Sequence, residues 1–110
     1  MTTRQVGDVT VIDAVGRITL GDGASTFRDT VRNLSAGGHK KLLLNLAEVS
    51  YIDSSGIGEM VSGFTTITNQ GGVLKLLNLN KRVKDLLQIT KLYTVFEVFE
   101  DEAAAVSSFG

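Results

Sequence analysis

The chain contains no cysteine, no proline and a single histidine, and each gap removes a class of chemistry. Without cysteine there can be no disulfide framework, thiolate metal site or thiol nucleophile, which suits a reducing compartment and makes the cytosol the expected location. The lone His39 precedes the central apolar run, so it is expected at the opposite end of that run from the candidate serines, and a Ser-His-Asp triad is not expected. A marked excess of either charge is also missing. Eleven basic and 12 acidic residues leave a formal net of -1, so nothing pulls the chain as a whole toward nucleic acid or an anionic membrane. No window approaches the roughly 18 consecutive apolar residues of a membrane span. The first residues, Met1-Thr2-Thr3-Arg4-Gln5, lead into alternating sequence rather than the apolar core of a signal peptide. Membrane insertion, classical export and direct nucleic-acid binding are therefore not expected. Nor is there a low-complexity stretch or an internal repeat.

What is present fits one domain over residues 1–110, since 43% of the residues are hydrophobic and 21% charged. Val9-Thr10-Val11-Ile12-Asp13-Ala14-Val15, then Gly16-Arg17 and Ile18-Thr19, reads as two strands of a hairpin around a glycine turn. Ser25 or Thr26 can cap a helix that carries Phe27, Val31 and Leu34 and stops at Gly37-Gly38. Lys41 to Leu46 is solidly apolar apart from Asn45, as in a central strand covered on both faces. Ile57, Met60, Val61, Phe64 and Ile67 form one helical stripe ending at Asn69-Gln70-Gly71-Gly72. Val73–Leu77 is the next buried strand. Asn80 can cap a helix bearing Val83, Leu86 and Leu87, Val95–Phe99 alternates as a last strand, and Asp101-Glu102 suits the start of a terminal helix with Phe109 packing back. The order β-β-α-β-α-β-α-β-α predicts an α/β domain: a mixed sheet that opens with an antiparallel hairpin, continues in parallel strands and carries about four helices.

In such folds sites gather where parallel strands hand over to helices, and Tyr51-Ile52-Asp53-Ser54-Ser55-Gly56-Ile57-Gly58 lies at such a junction. A serine there places its hydroxyl beside unpaired N–H groups and the positive end of a helix dipole, a favourable seat for a phosphoryl group and equally for an ordinary helix cap. Other chemistries fail on pattern. Asp53-Ser54-Ser55-Gly56 is not a Gly-x-Ser-x-Gly elbow, Gly56-Ile57-Gly58 lacks the third glycine of a dinucleotide fingerprint, and no Gly-Lys-Ser/Thr triplet forms a phosphate loop. The acidic residues lack the spacing of metal ligands. Lys75, Lys81, Arg82, Lys84 and Lys91 lack interleaved aromatics and read as a solvated surface, and His39 reads as an exposed turn residue.

Leu44-Asn45-Leu46 followed by Tyr51 through Gly58 resembles the bacterial anti-anti-sigma factors, or anti-sigma factor antagonists, which are stand-alone STAS domains. Gly16-Arg17-Ile18, Gly71-Gly72 and Leu86-Leu87 through Leu92 extend the likeness over the whole chain. The resemblance implies a STAS-like domain with no enzymatic activity of its own and no cofactor. It implies a partner that is both anti-sigma factor and serine protein kinase, with a phosphoserine phosphatase to reverse it. Unphosphorylated protein would bind the anti-sigma factor and free a sigma factor, in a stress-response or related transcriptional pathway. The family motif puts the phosphoacceptor at Ser54, with Ser55 its structural neighbour. Asp53 corresponds to the motif aspartate, which either orients the hydroxyl or caps the helix. Asp53, Ser54, Ser55, Gly56, Ile57, Gly58, Glu59 and Met60 form the expected partner-binding segment, although Ile57 and Met60 also belong to the core stripe. Glu59 stands where several family members are apolar, a departure that bears on partner specificity. The other readings are a constitutive STAS scaffold, or a subunit of a stress-signalling or membrane-transport complex, and a nucleotide-binding regulator.

Overall fold

A computed structural model describes residues 1–109 and contains five strands and four α-helices in the expected order. β1 (Thr2–Val6), β2 (Val9–Ile18), β3 (Lys41–Ile52), β4 (Val73–Leu77) and β5 (Val98–Phe99) lie side by side in sequence order. β1 and β2 are antiparallel and every later pair is parallel. α1 (Asp22–Ala36), α2 (Ser54–Asn69) and α3 (Lys81–Ile89) make the crossovers. Because the strands are added in one direction and crossovers share one hand, all three helices fall on the same face. Phe27 and Val31 of α1, Met60 and Ile67 of α2, and Val83 and Leu87 of α3 accordingly share one buried cluster with Ile12, Leu42, Leu44 and Leu76. The opposite face is covered by α4 (Glu102–Ser108), whose Ala105 packs on Val9, Val11, Leu43 and Leu77, with Val106 and Phe109 against them.

The opening hairpin is present but earlier than expected. β2 runs unbroken through Gly16, and its antiparallel partner is Thr2–Val6, joined to it by the tight turn at Gly7 (φ 64°) and Asp8. Gly16, at φ 86°, instead sits beside a register shift between β2 and β3. β3 continues past Leu46 to Ile52, its second half pairing with β2 alone. α1 begins at Asp22 behind Gly21 rather than at Ser25, with no side-chain cap. β5 keeps only Val98 and Phe99 of the expected strand. Leu92–Thr94 forms a 3₁₀ turn, and Phe96 is buried edge-on to Phe64, with ring centroids 5.3 Å apart.

Two polar side chains depart from their expected roles. Lys75 is not solvated: it is 8% exposed, and its Nζ donates to Ser108 O at 3.1 Å and Ser108 Oγ at 2.9 Å. It also pairs with Glu97 at 2.8 Å and lies over the rings of Phe99 and Phe109, tying the end of α4 to the sheet. His39 is half-buried, with Nδ1 3.1 Å from the hydroxyl of buried Thr10. Among the described residues no helix is long and apolar enough to cross a membrane.

Candidate functional site

The site forms where β3 ends and α2 begins. The N-cap of α2 is Asp53, not a serine: in extended conformation (φ -95°, ψ -176°), it accepts from Gly56 N–H through Oδ1 at 2.8 Å. Its other oxygen accepts from Leu20 N–H at 2.9 Å, and its own N–H donates to Ile18 O at 3.3 Å. One carboxylate therefore caps the helix and staples it to the loop that leaves β2. These backbone donors, Leu20 first and Gly56 second, hold the Asp53 carboxyl below the usual carboxylate range. It is an anion at neutral pH with both oxygens committed, a poor arrangement for a proton acceptor and a good one for a fixed scaffold.

With the cap supplied by Asp53, Ser54 occupies the first helical position and is exposed, while Ser55 behind it is half-buried. The Ser54 N–H precedes any helical carbonyl that could accept it. Gly56 is buried because nothing else fits: a Cβ there would overlap the Ile18 carbonyl oxygen and come within 2.8 Å of Ile52 Cγ2. This contact seats α2 on the end of β2. Gly58 is the opposite case, exposed, with nothing within 4 Å of where a Cβ would be. Internal packing does not require a glycine there, although glycine costs about 0.5–1 kcal/mol in a helix.

Along the rest of the expected segment, Ile57 is half-buried against the core and Met60 wholly buried. Gly56 and Met60 thus support the surface from beneath. Asp53, Ser54, Ser55, Ile57, Gly58 and Glu59 retain exposed area. Glu59 is not a free charge, since its Oε2 lies 3.5 Å from Nη1 of Arg28 on α1. His39 lies before β3 and Ser54 after it, so the whole strand separates them. Sequence reasoning passed over Leu20, an 80% exposed leucine beside Asp53. Its only sequence signal was an apolar residue stranded between the end of β2 and Gly21.

The STAS domain family model matches residues 1–105. The chain belongs to the STAS domain family. This STAS domain is similar to the anti-sigma-B factor antagonist of Bacillus subtilis (strain 168), 42% identical over 57 residues, a match covering 52% of each chain. It spans between half and two thirds of the length of the first curated relatives it matches. Among solved structures it superposes on Bacillus SpoIIAA in its phosphorylated form with TM-score 0.76, at 19% identity over 97% of this chain and 96% of that one. The unphosphorylated form of SpoIIAA, an anti-sigma factor antagonist, gives TM-score 0.72 at 19% identity over 97% and 94%. The fold also matches part of the murine anion transporter Slc26a9, with TM-score 0.76 at 18% identity over 94% of this STAS domain and 18% of the transporter. At such identities the structural likenesses speak to fold alone.

Proposed function

We propose that this STAS domain is an anti-sigma factor antagonist: a cytoplasmic, non-catalytic binding switch whose surface around Ser54 engages an anti-sigma factor that is also its serine kinase. The observation that carries the reading is the exposed hydroxyl of Ser54 at the first position of a 16-residue helix whose cap is already supplied by Asp53. Had Ser54 been the cap, its oxygen would be engaged by a backbone N–H instead of being presented to a kinase. As built, the hydroxyl is free for a kinase, and a phosphate placed there meets the positive end of the helix dipole, worth about 0.3–1 kcal/mol. The phosphorylated domain stays folded, and a phosphoserine phosphatase can restore it.

The switch acts at the interface. Phosphorylation adds roughly -1.5 to -2 charges at neutral pH beside the Asp53 anion. A partner shaped for a hydroxyl must then desolvate a dianion or withdraw, at a cost on the order of 3–5 kcal/mol for a buried unpaired charge. Each 1.4 kcal/mol changes affinity tenfold, so binding falls by at least two orders of magnitude without a change of fold. Exposed Leu20, the uncovered part of Ile57 and the unobstructed Gly58 supply the apolar and close-approach part of the surface. The similarity to the Bacillus subtilis anti-sigma-B factor antagonist supports this partner class. The test is a pair of variants titrated with the candidate anti-sigma kinases of the same genome. Ser54→Ala is expected to keep binding and Ser54→Asp to lose it; equal binding by both would point to a constitutive scaffold.

A further inference from the structure

Tyr51 stands three residues before Ser54, and two guanidiniums from separate elements lie on it. Arg17 of β2 is 5.6 Å from the ring centroid, and Arg82, in the first turn of α3, is 5.7 Å away. Arg17 is placed by strand register, being the direct partner of Tyr51 across the β2–β3 ladder. Arg82 is placed by Asn80, which accepts from Val83 N–H to cap α3 and donates through Nδ2 to Val49 O at 2.7 Å, fixing the helix start against β3. Stacking on a tyrosine face orients a guanidinium without neutralising it. Neither arginine forms an ion pair among the described residues, a condition shared with Arg32, Lys40, Lys81 and Lys91, but of these only Arg17 and Arg82 lie on an aromatic ring. Asp53, two residues from Tyr51, is committed to the Leu20 and Gly56 amides.

We propose that Arg17 and Arg82, held on Tyr51, form a second docking point beside Ser54 that takes a carboxylate side chain, Asp or Glu, from the protein engaging this surface. The proposal rests on the partner-switching reading and names the chemistry the partner must present. The planar fork of a guanidinium matches a carboxylate. The chain's near-balanced charge, a formal net of -1, gives no overall pull toward a polyphosphate or nucleic-acid backbone. One acidic side chain carried by the protein that docks here matches the charge available. A phosphate added three residues away, at Ser54, would lower the positive potential that holds this carboxylate, so the platform reinforces the switch.

The experiment is calorimetric titration of the full chain with whichever anti-sigma kinase of the same genome is shown by site mapping to phosphorylate Ser54, at low and at physiological salt. Arg17→Glu with Arg82→Glu is expected to weaken binding at least tenfold and to flatten its salt dependence, while melting stays near wild type. Should that reversal disturb folding, Arg17→Ala with Arg82→Ala is expected to weaken binding severalfold. Tyr51→Phe, which keeps the ring, binds as wild type. Unchanged affinity in the charge-reversed protein, with wild type and Ser54→Ala both binding, overturns the platform and leaves the switch intact. Saturable binding of ATP to the chain alone, abolished in the double variant, overturns the carboxylate assignment in favour of a nucleotide. Failure of every active candidate kinase to modify Ser54 overturns the switch and the platform together.

Discussion

Gly56 and Gly58, two residues apart in the same helix, are expected to respond to alanine in opposite directions. Alanine gains each position about 0.5–1 kcal/mol of helix propensity, so local preference alone stabilises both variants equally. Packing separates them. At Gly56 the added carbon would overlap the Ile18 carbonyl oxygen and crowd Ile52 Cγ2; the first is backbone of a buried strand and has no flexible end to swing away. Overpacking costs typically 1–3 kcal/mol, and an obstruction by main chain belongs at the upper end, leaving a net loss of about 2 kcal/mol after the propensity gain. At Gly58 the added carbon meets nothing within 4 Å, so the whole gain of about 0.5–1 kcal/mol should appear. For a chain of this length about 1 kcal/mol moves the melting temperature by roughly 4 °C, which predicts a fall of about 8 °C for Gly56→Ala and a rise of about 2–4 °C for Gly58→Ala. Urea unfolding with an unchanged slope would confirm that the native state, not the denatured one, is responsible. The Gly58 variant carries a functional corollary: a more stable domain should bind the proposed anti-sigma kinase less well, because the added methyl group would stand on the proposed docking surface. A Gly56→Ala protein as stable as wild type would refute the account of how α2 is seated on β2.

Acid stability is expected to depend on Arg4, which reaches both Asp13, with Nε 2.7 Å from Oδ2, and Glu102. Its hydrogen bonds are the main reason both carboxyls titrate below their ordinary values of 3.8 and 4.5. Depressed native values mean that the stabilisation is complete above those ordinary values and is lost as pH falls through the native ones. Arg4→Met should therefore flatten the dependence of melting temperature on pH below about 5, and an unchanged acid limb would contradict the assignment. Phe96→Ala removes a buried ring packed edge-on to Phe64 and should cost about 3–5 kcal/mol in denaturant unfolding. Lys75→Met keeps the apolar stem and should change global stability by less than about 1.5 kcal/mol. Its visible effect should be faster amide exchange in α4, which loses the Nζ bonds to Ser108, and unchanged exchange there would show that the lysine is no anchor.

Sequence patterns gave reliable notice of elements that bury one face behind a side-chain cap. α2, β4 and α3 appear essentially where the stripe of Ile57 to Ile67, the run Val73–Leu77 and the Asn80 cap place them. β1 escaped because Thr2 through Gln5 are exposed in an edge strand, so no alternation marks them. The second half of β3 was hidden for a related reason: Ala47, Glu48 and Ser50 are exposed where the strand pairs only with β2. Lys75 looked like surface because sequence does not show that the terminal helix brings Phe109 and the Ser108 carbonyl over its ammonium group. The Asp53-Ser54 junction was legible, since strand end, cap and hydroxyl are consecutive, although the division of labour between aspartate and serine needed the geometry. The grouping of Arg17, Tyr51 and Arg82 was not, because strand register and a helix start bring together residues far apart in the chain.

The proposed switch requires Ser54 to be a free hydroxyl presented to a kinase at a helix start that Asp53 maintains. Intact-mass spectrometry with site mapping, after incubation with ATP and each candidate anti-sigma kinase of the same genome, tests it most directly. One added phosphoryl group is expected, mapped to Ser54 and absent from Ser54→Ala. Modification at Ser55 or elsewhere, or none by any kinase shown to be active, would contradict it.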